Sequence, residues 1–434
     1  MKSLAALFAV VVSCLGPTAA ATLHEADAAY DQGNYAAAAE QYQVAAEQGD
    51  INAQRKLGAL FSSGRGVRQD YAQSAKWYRL AADQGDPSAQ ASLGYAYETG
   101  QGVAQNYAEA IKWYHASAEQ GYYMGQSNLG HMYEQGRGVA QDYKEAARLY
   151  RLAAEQGNAW SQAQLAGLYN AGKGVAQDHA QAFTLYKLAA EQGNAFAQNS
   201  MGYLLETGQG GAQDHAEAAK WYRLAADQGN AYAQGNLGAM YQHGRGVKQD
   251  YKEAARWYRL AADQKEARAQ HNLGQLYFYG QGVAQDHKQA VQWYRLAAEQ
   301  GSRDGQTSLG YMYDLGQGVA QDYKEAVKWY RLAAEQGSAT AQRNLGILYS
   351  NGNGAPKNAV AAYALWNVSA TTDASSANPA PQNRNAIAKT LSQEEIEQGQ
   401  ALTTELMAAG NFLKALDNHV LKADPNYMRP VILP

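Results

Sequence analysis

The sequence predicts an all-α protein, an α-solenoid built from antiparallel helix hairpins. Three observations predict it. A unit of thirty-six residues recurs without insertion or deletion, each half of it carries an apolar stripe at helical spacing, and paired glycines separate the halves. The repeats begin at Gly49, Gly85, Gly121, Gly157, Gly193, Gly229, Lys265, Gly301 and Gly337. A fixed period of this length indicates stacked units that contact their neighbours, rather than one globular core.

The eighth repeat shows what one unit encodes. Its first half places Gly305, Leu309 and Tyr313 at intervals of four, which is one face of an amphipathic helix. The second half has a similar stripe of small and aromatic residues, Ala326, Trp329, Tyr330, Ala333 and Ala334. Between the halves, the glycines of GQGVAQD favour a helix stop and a turn. Asp322 is then predicted to cap the second helix, with Glu325 completing a capping box.

A glycine follows the central leucine or methionine of the first helix in eight repeats. These residues are Gly58, Gly94, Gly130, Gly202, Gly238, Gly274, Gly310 and Gly346. Because glycine costs about 1 kcal/mol relative to alanine in a helix interior, its recurrence predicts the close approach of another backbone. Alanines of the second helix, such as Ala261 and Ala297, are expected to provide the matching small surface.

The repeating pattern resembles a known family. A-x-x-x-L-G-x-x-Y-x-x-G-x-G-V-x-x-D-x-x-x-A-x-x-W-Y-x-x-A-A recurs in phase from residue 49 to about 370, and it resembles the Sel1-like repeat, a relative of the tetratricopeptide repeat. The resemblance implies a right-handed superhelix of helix pairs, with the first helices on the concave side and the second helices on the convex side. It also implies a protein that scaffolds or regulates other proteins.

The array is predicted to begin with an atypical unit. Residues 22–48 lack the long loop and resemble a plain tetratricopeptide hairpin whose second helix is capped by Asn34, which suits the exposed end of an array. Eight full repeats occupy residues 49–336. Local departures, such as Ala166 in place of the mid-helix glycine and Lys265 in place of an opening glycine, fit either soft joints in the array or sequence drift.

The repeat pattern fades towards the C-terminus. Residues 337–370 form a degenerate ninth repeat that has lost the basic residues of the others. Residues 371–384 are rich in Ser, Ala, Asn and Pro and are predicted to be a linker. In residues 385–434, Ser392 and Glu395 predict a capping box that opens a C-terminal capping helix, and an apolar tail follows.

The N-terminus predicts export. Residues 1–21 have a charged start at Lys2, a short apolar run and small residues before a cleavage site, which is typical of a secretory signal. The run is too short to span a bilayer, so we expect a periplasmic or secreted protein. The single cysteine, Cys14, offers an alternative, a lipid anchor at a new N-terminus. After ordinary cleavage the mature chain would contain no thiol and no disulfide.

Composition excludes several classes of partner. The formal net charge is -4 among 434 residues, so no strong field favours nucleic acid or anionic lipid, and no further segment is apolar enough for an integral membrane span. The second helices do carry basic pairs, Lys76 with Arg79 and Arg256 with Arg259 among them. Acidic residues interleave with these pairs, which predicts a solvated face with local ion pairs. The oligomeric state is not specified by the sequence.

No motif predicts catalysis, a cofactor or a metal site. The chain has no HExxH, no paired cysteines and no nucleophile elbow. His179, His215 and His287 occupy a helix-start position that tyrosine fills in other repeats, so we interpret them as packing residues. The GxG loops follow helices instead of strands and lack the Lys-Ser/Thr of a nucleotide-binding loop, so we interpret them as helix stops.

Positions that vary while the packing positions stay constant are candidates for binding a partner. The fourth position of the repeat carries large apolar residues in four consecutive repeats: Met124, Trp160, Phe196 and Tyr232. By resemblance to tetratricopeptide geometry this position faces the groove. An exposed aromatic row indicates a binding site, whereas packing of the same side chains between adjacent hairpins is the structural alternative.

Two neighbouring positions extend this candidate site. The eleventh position contributes Tyr95, His131 and Tyr203, and the fourteenth contributes Glu98, Glu134 and Glu206. Together they predict an aromatic floor with an acidic side, which suits a peptide with apolar anchors and some basic residues.

These observations predict a non-enzymatic, exported scaffold that binds a protein or peptide in its concave groove, as a regulator, assembly factor or host-interaction adaptor. Two alternatives remain open. A cysteine-rich branch of the family binds or hydrolyses β-lactams, but its disulfides and a serine nucleophile with a Lys or Glu partner are missing here. The other alternative is a structural protein of the cell wall that binds through its convex face.

Overall fold

The computed structural model describes residues 19–424, and all regular secondary structure in this range is α-helical. The predicted signal peptide, apart from residues 19–21, lies outside the described residues together with Cys14, and so does the tail from residue 425. The chain forms two compact units, one ending at Gln213 and the other beginning at Asp214. Within residues 19–424 no helix is long and apolar enough to cross a membrane.

The first unit consists of consecutive helix hairpins. Its helices are α1 (Ala19–Asp31), α2 (Tyr35–Glu47), α3 (Ile51–Ser63), α4 (Tyr71–Asp83), α5 (Pro87–Thr99), α6 (Tyr107–Glu119), α7 (Tyr123–Gln135), α8 (Tyr143–Glu155), α9 (Ala159–Ala171), α10 (His179–Glu191) and α11 (Ala195–Thr207). From α3 onward, odd numbers are first helices of a repeat and even numbers are second helices. Every helix of these repeats has the same length, so the predicted hairpin array is confirmed.

The second unit continues the alternation and then departs from it. Its helices are α12 (His215–Asp227), α13 (Ala231–His243), α14 (Tyr251–Asp263), α15 (Ala267–Tyr279), α16 (His287–Glu299), α17 (Arg303–Leu315), α18 (Tyr323–Glu335), α19 (Ala339–Asn351), α20 (Ala359–Thr372), α21 (Ala380–Ala388), α22 (Gln393–Met407) and α23 (Phe412–Ala423). The hairpins α13/α14 to α19/α20 are repeats six to nine. The last three helices pack against the ninth repeat and its neighbour.

Helix ends largely follow the predicted turn chemistry. Asp322 caps α18 by accepting from the N–H groups of Lys324 and Glu325, and Gly316 ends α17 in the left-handed conformation, at φ 67°. The predicted capping box is wrong at this position. The N–H of Asp322 donates to the Tyr313 carbonyl instead, and the carboxylate of Glu325 accepts from the indole of Trp329, at 3.1 Å.

Buried glutamines connect successive helices. In the seventh repeat, the Gln270 side chain donates to the Ala262 carbonyl of α14 (3.2 Å) and accepts from the Gln300 amide at the end of α16 (2.7 Å). Both bonds recur in other repeats, so that one side chain joins three helices. We call this series the glutamine ladder; its first-helix members that donate to a preceding alanine carbonyl are Gln54, Gln90, Gln162, Gln198, Gln234, Gln270, Gln306 and Gln342.

The mid-helix glycines accommodate an aromatic ring first and, at some positions, a backbone carbonyl beside it. A methyl group on Gly274 would lie 2.7 Å from ring atoms of Tyr294, which is buried in the second helix of the same repeat. Gly94 and Gly310 face their tyrosines in the same way. The expected close approach of another backbone is found as well, since the same methyl group would lie 3.2 Å from the Ala110 carbonyl oxygen at Gly94 and 3.3 Å from the Ala290 carbonyl oxygen at Gly274. The small residue that does meet the second-helix alanines is at the fifth position, where Gly305 packs on Ala297.

The basic pairs of the second helices divide into two roles. Residues at the first position of the pair form the predicted ion pairs along one helix, for example Arg256 with Glu253 at 3.4 Å. Arginines at the second position lie in the seam between repeats instead of on a solvated face. The Arg223 guanidinium donates to the Tyr241 hydroxyl (2.6 Å) and stacks 4.8 Å from the Trp257 ring centroid.

Lys265 keeps the geometry of the glycine that it replaces. It is the one non-glycine residue with positive φ in residues 19–424, at 67°. Other repeats place glycine at this point, for example Gly301 at φ 82°. The backbone at Lys265 therefore follows the same path as in the other repeats, but its conformation is strained because Lys265 carries a side chain.

The C-terminal helices pack on the last repeat. Ser392 and Glu395 form the capping box that opens α22, and α22 and α23 contribute apolar residues such as Leu402 to the core of the ninth repeat. A charged contact adds to this packing. Arg331 of α18 is 1% exposed and donates to the Asp417 carboxylate of α23 at 2.6 Å.

The predicted linker at 371–384 is shorter and more ordered in the structure. Helix α20 ends only at Thr372 and α21 begins at Ala380. Between them the buried amide of Asn378 donates to the Ser369 and Asp373 carbonyls, and its oxygen accepts from the N–H of Ala380. Composition alone indicated a flexible segment because it does not reveal that one asparagine satisfies this turn.

Replacing Gly274 by alanine tests the aromatic role of the mid-helix glycine. Overpacking against Tyr294 outweighs the gain in helix propensity, so we expect Gly274→Ala to lower the free energy of unfolding by about 1–2 kcal/mol. Urea denaturation followed by circular dichroism measures it. Ala166→Gly is the reverse change at the equivalent position; it loses about 1 kcal/mol of helix propensity and, because Ala166 is buried, up to about 0.8 kcal/mol more from the deleted methyl group. A more stable Gly274→Ala protein would contradict the assignment.

Restoring glycine at residue 265 should stabilise the protein. A side chain in the left-handed region costs about 1–2 kcal/mol, part of which glycine returns through its freer unfolded state, so Lys265→Gly should gain roughly 1 kcal/mol. The reverse change, Gly301→Lys, meets no neighbouring atoms and should lose a similar amount through backbone strain alone. Thermal denaturation of both variants provides the comparison, and equal melting temperatures would refute the strain argument.

Candidate partner-binding surface

One face of the first helices in the first unit exposes large apolar side chains. The fourth-position residues Met124, Trp160 and Phe196 are 44%, 38% and 49% exposed. They begin α7, α9 and α11 at equivalent places. The structural alternative, packing between adjacent hairpins, holds in part, because Trp160 and Phe196 each contact aromatic residues of the preceding hairpin while much of each side chain remains exposed. We call these three residues the apolar ridge.

Aromatic contacts orient two members of the apolar ridge. The Trp160 ring meets the rings of Tyr150 and His131 edge-on, with centroids 5.5 and 5.6 Å apart. Phe196 packs in the same manner on Tyr186, at 6.1 Å. Because these neighbours are buried or half-buried, they hold one edge of the ridge residue and leave the rest in solvent.

The eleventh position supplies the predicted aromatic neighbours. Tyr95 on α5 and Tyr203 on α11 are exposed, and His131 on α7 is half-buried beneath Trp160. Within one helix, residues four, seven and eight positions apart share a face, so Tyr95 and Tyr203 lie on the same side as the ridge. Five of the predicted apolar or aromatic site residues, and His131, therefore lie in the first unit.

The predicted acidic residues have a structural role as well as a charge. The carboxylates of Glu98 and Glu134 each accept from a tyrosine hydroxyl of the following helix, Tyr114 and Tyr150, at 2.6 Å. Burial, reinforced by this carboxylate, holds the pKa of each tyrosine well above its usual range. Glu98 also lies 3.6 Å from Arg137. Glu206, on α11, is half-buried like the other two.

Tyr232 belongs to the second unit. It is 65% exposed at the start of α13. In the next repeats the same position carries Arg268, Asp304 and Thr340, so the apolar character ends there. The second unit therefore contributes a single predicted residue to the candidate site.

Two features were missed by sequence reasoning. Asn128 and Gln164 are half-buried amides at the eighth position, four residues beyond Met124 and Trp160 on the same helix faces. In the second unit, Phe278 stacks on His287 with centroids 5.1 Å apart, beside the exposed ring of Tyr279. Phe278 stands at the fourteenth position, and comparison of the eighth and fifteenth positions across the repeats would have revealed the two amides and Tyr279.

The described residues lack the features of a metal centre. Within residues 19–424, no group of three or more His, Cys, Asp or Glu side chains is placed to hold a metal ion. Of the helix-start histidines, His179 forms a hydrogen bond through Nδ1 with the Asn170 amide oxygen, at 2.8 Å, and His287 stacks on Phe278.

Comparison with known proteins supports the architecture. The family model described as Sel1 repeat matches nine segments of the chain: 51–86, 87–122, 124–158, 161–194, 195–230, 231–266, 267–302, 303–338 and 339–371. No curated protein matches the chain significantly.

Two solved structures are similar. One is c5321, a protective antigen of uropathogenic Escherichia coli with an SLR fold; it is 36% identical, with a TM-score of 0.80, over 96% of this chain and 88% of its own. The other is a Sel1 repeat protein from Oxalobacter formigenes, 34% identical with a TM-score of 0.53, over 56% of this chain and 99% of its own.

Proposed function

The chain belongs to the Sel1 repeat family, and from this we propose that it is an exported, non-enzymatic scaffold for a protein or peptide partner. The partner contributes an extended segment that crosses the first helices of the first unit. The apolar ridge of Met124, Trp160 and Phe196 forms its main contact, flanked by Tyr95 and Tyr203.

The exposure of the apolar ridge is the observation that supports this proposal. Three large apolar side chains remain partly exposed at one equivalent position of consecutive repeats, although Trp160 and Phe196 each use one edge for packing on the preceding hairpin. Contiguous exposed apolar surface marks interaction sites in soluble proteins. Trp and Tyr in particular contribute most of the binding energy in protein interfaces.

The repeat geometry favours an extended segment over a folded domain. Packed helices lie about 8–10 Å apart, and an extended chain advances about 3.3 Å per residue, so about three residues of the partner pass each helix. The half-buried amides of Asn128 and Gln164 lie beside the ridge and can donate to and accept from a peptide backbone.

Charge adds a preference for basic residues in the partner. Glu98 and Glu134 keep carboxylate oxygens on the ridge side of α5 and α7, because each tyrosine hydroxyl uses only part of their accepting capacity. A Lys or Arg beside the apolar anchors would gain from these charges and would associate faster.

Export is the second part of the proposal. The signal-like residues 1–21 and the thiol-free chain that cleavage would leave suit a periplasmic or secreted protein, and Cys14 provides the lipid-anchored alternative. The similar protein c5321 is a protective antigen, which fits a chain that leaves the cytoplasm.

Removing the apolar ridge should abolish selective peptide binding. Dodecapeptides selected on the wild-type protein from a phage-displayed library serve as ligands, with affinities measured by calorimetry. We expect Trp160→Ala with Phe196→Ala to weaken peptide binding by roughly 30-fold or more, since the loss of even one central aromatic residue costs about 2 kcal/mol.

The matched control removes exposed apolar surface from the second helices. Leu152→Ala with Leu188→Ala deletes two side chains that are 36% and 45% exposed, on α8 and α10. We expect unchanged affinity from this pair. The opposite pattern, with the leucine pair weakened and the ridge pair unaffected, would move the binding site to the second helices.

Neutralising the two glutamates should weaken binding without unfolding the protein. In the second unit Gln242 accepts from the Tyr258 hydroxyl at 2.7 Å, so Glu98→Gln with Glu134→Gln can keep both tyrosine bonds and should change stability by less than about 0.5 kcal/mol. Affinity for peptides that contain Lys or Arg should fall at low salt, and the difference should vanish at high salt. An identical salt dependence in wild type and variant would rule out the acidic contribution.

A further inference from the structure

A cavity of ≈ 310 Å³ opens beside the apolar ridge in the first repeats. It is bounded by α3, α4, α5 and α7 and by the turn after α5, and two candidate-site residues, Tyr95 and Met124, form part of its wall. We call it the Ser62 cavity. A volume of this size is at the lower end of the range for ligand pockets.

The first cause of the cavity is a departure from the repeat pattern at the fourteenth position. In the second and third repeats, Glu98 and Glu134 at the fourteenth position reach the tyrosine hydroxyl of the following helix at 2.6 Å. The first repeat has Ser62 at this position, opposite Tyr78, and both residues line the cavity. A serine side chain is too short to fill the space that a glutamate would occupy.

On the far wall, Ser92 hydrogen-bonds the Tyr78 hydroxyl in place of the missing glutamate, but its side chain is as short as that of Ser62 and does not fill the space. Ser92, at the eighth position of the second repeat, directs its hydroxyl to the Ser88 carbonyl of its own helix, at 2.9 Å. The fourth repeat has the larger Gln164 at the equivalent position. Small residues on both walls therefore keep the cavity open.

The lining specifies the chemistry of an occupant. The rings of Tyr71, Tyr78 and Tyr95 and the thioether of Met124 form an apolar surface, and they alternate with hydroxyls and amides such as that of Asn128. Among residues 19–424, no charged side chain lines the cavity. This environment favours an uncharged, polarisable ring over an ionised group, since aromatic edges and methionine sulfur both attract rings.

We propose that the Ser62 cavity is an anchor pocket for one tyrosine side chain of the bound partner. The phenol ring packs between the tyrosines and Met124, and its hydroxyl exchanges hydrogen bonds with Asn128 or the neighbouring serines. This assignment rests on the proposed function for the origin of the tyrosine. The pocket would fix the register of the peptide, which the apolar ridge alone would allow to shift by one repeat.

The probe for the pocket is p-cresol, the side-chain analogue of tyrosine, titrated into the full protein and followed by ligand-observed NMR. We expect saturable binding with a dissociation constant on the order of 1 mM, which is reasonable for a ligand of this size. n-Butylammonium and propionate, which carry charge, should bind at least about tenfold more weakly. Equal binding of either charged probe would overturn the assignment.

Two variants close the pocket with residues that the chain itself uses at the same positions. Ser62→Glu copies Glu98 and can bond Tyr78, and Ser92→Gln copies Gln164 on the opposite wall. Either should weaken p-cresol binding at least about tenfold. The control, Gln242→Glu, adds the same charge at the same repeat position in the second unit and should leave binding unchanged. If p-cresol binds both closing variants as tightly as wild type, the pocket assignment is wrong.

The ridge variant separates this proposal from the proposed function. Trp160→Ala with Phe196→Ala leaves the cavity walls intact and should retain p-cresol binding while losing the selected peptides. If peptides are retained and p-cresol still binds, the ridge assignment fails and the pocket stands. If peptides are lost and the closing variants do not affect p-cresol, the ridge stands and the pocket fails.

Discussion

The glutamine ladder is the constraint on which the regularity of the array depends. Each buried amide, such as that of Gln270, satisfies a carbonyl of the preceding helix and accepts from the glutamine that ends the following one. An unsatisfied polar group in such a position costs about 1–3 kcal/mol. Adding or deleting one residue between these helices would rotate the glutamine away from both partners at once. The ladder therefore gives a physical reason for eight repeats without a single insertion, whereas apolar packing alone tolerates small shifts.

The end of the ladder explains the form of the C-terminal closure. In the ninth repeat, Thr372 stands where the helix-ending glutamine would be, and the side-chain oxygen of Gln342 is buried without a hydrogen-bond partner among the described residues. The polar connection stops here, so another repeat would have no ladder to join. Instead α22 and α23 cover the last hairpin with apolar side chains, and Asp417 binds Arg331, the arginine that in earlier repeats faces only a tyrosine and a tryptophan.

The fold could be predicted almost completely from the sequence, and the contacts that tune it could not. Period, turn glycines and N-cap residues are local signals, so the hairpins and their bounds follow from them. The partner of the mid-helix glycine is a matter of three-dimensional placement: the pattern indicated a small surface, while the structure places the Tyr294 ring against Gly274. The glutamines of the ladder were constant in the sequence as well. Their role was missed because a polar residue on a buried helix face gives no indication of which carbonyl it satisfies.

The contrast between constant packing positions and variable positions determines where binding specificity can arise. The first helix packs through the fifth, sixth and tenth positions of the repeat, and these residues vary little. The residues at the fourth, eighth and fourteenth positions can change without disturbing the glutamine ladder. The fourteenth position illustrates the consequence, since Glu98 and Gln242 bond equivalent tyrosines and Ser62 leaves a cavity. One substitution on an unchanged backbone thus converts a filled contact into a pocket. The residues that fix the register are buried, so each repeat can change its exposed side chains independently. Binding specificity can therefore be altered one helix at a time.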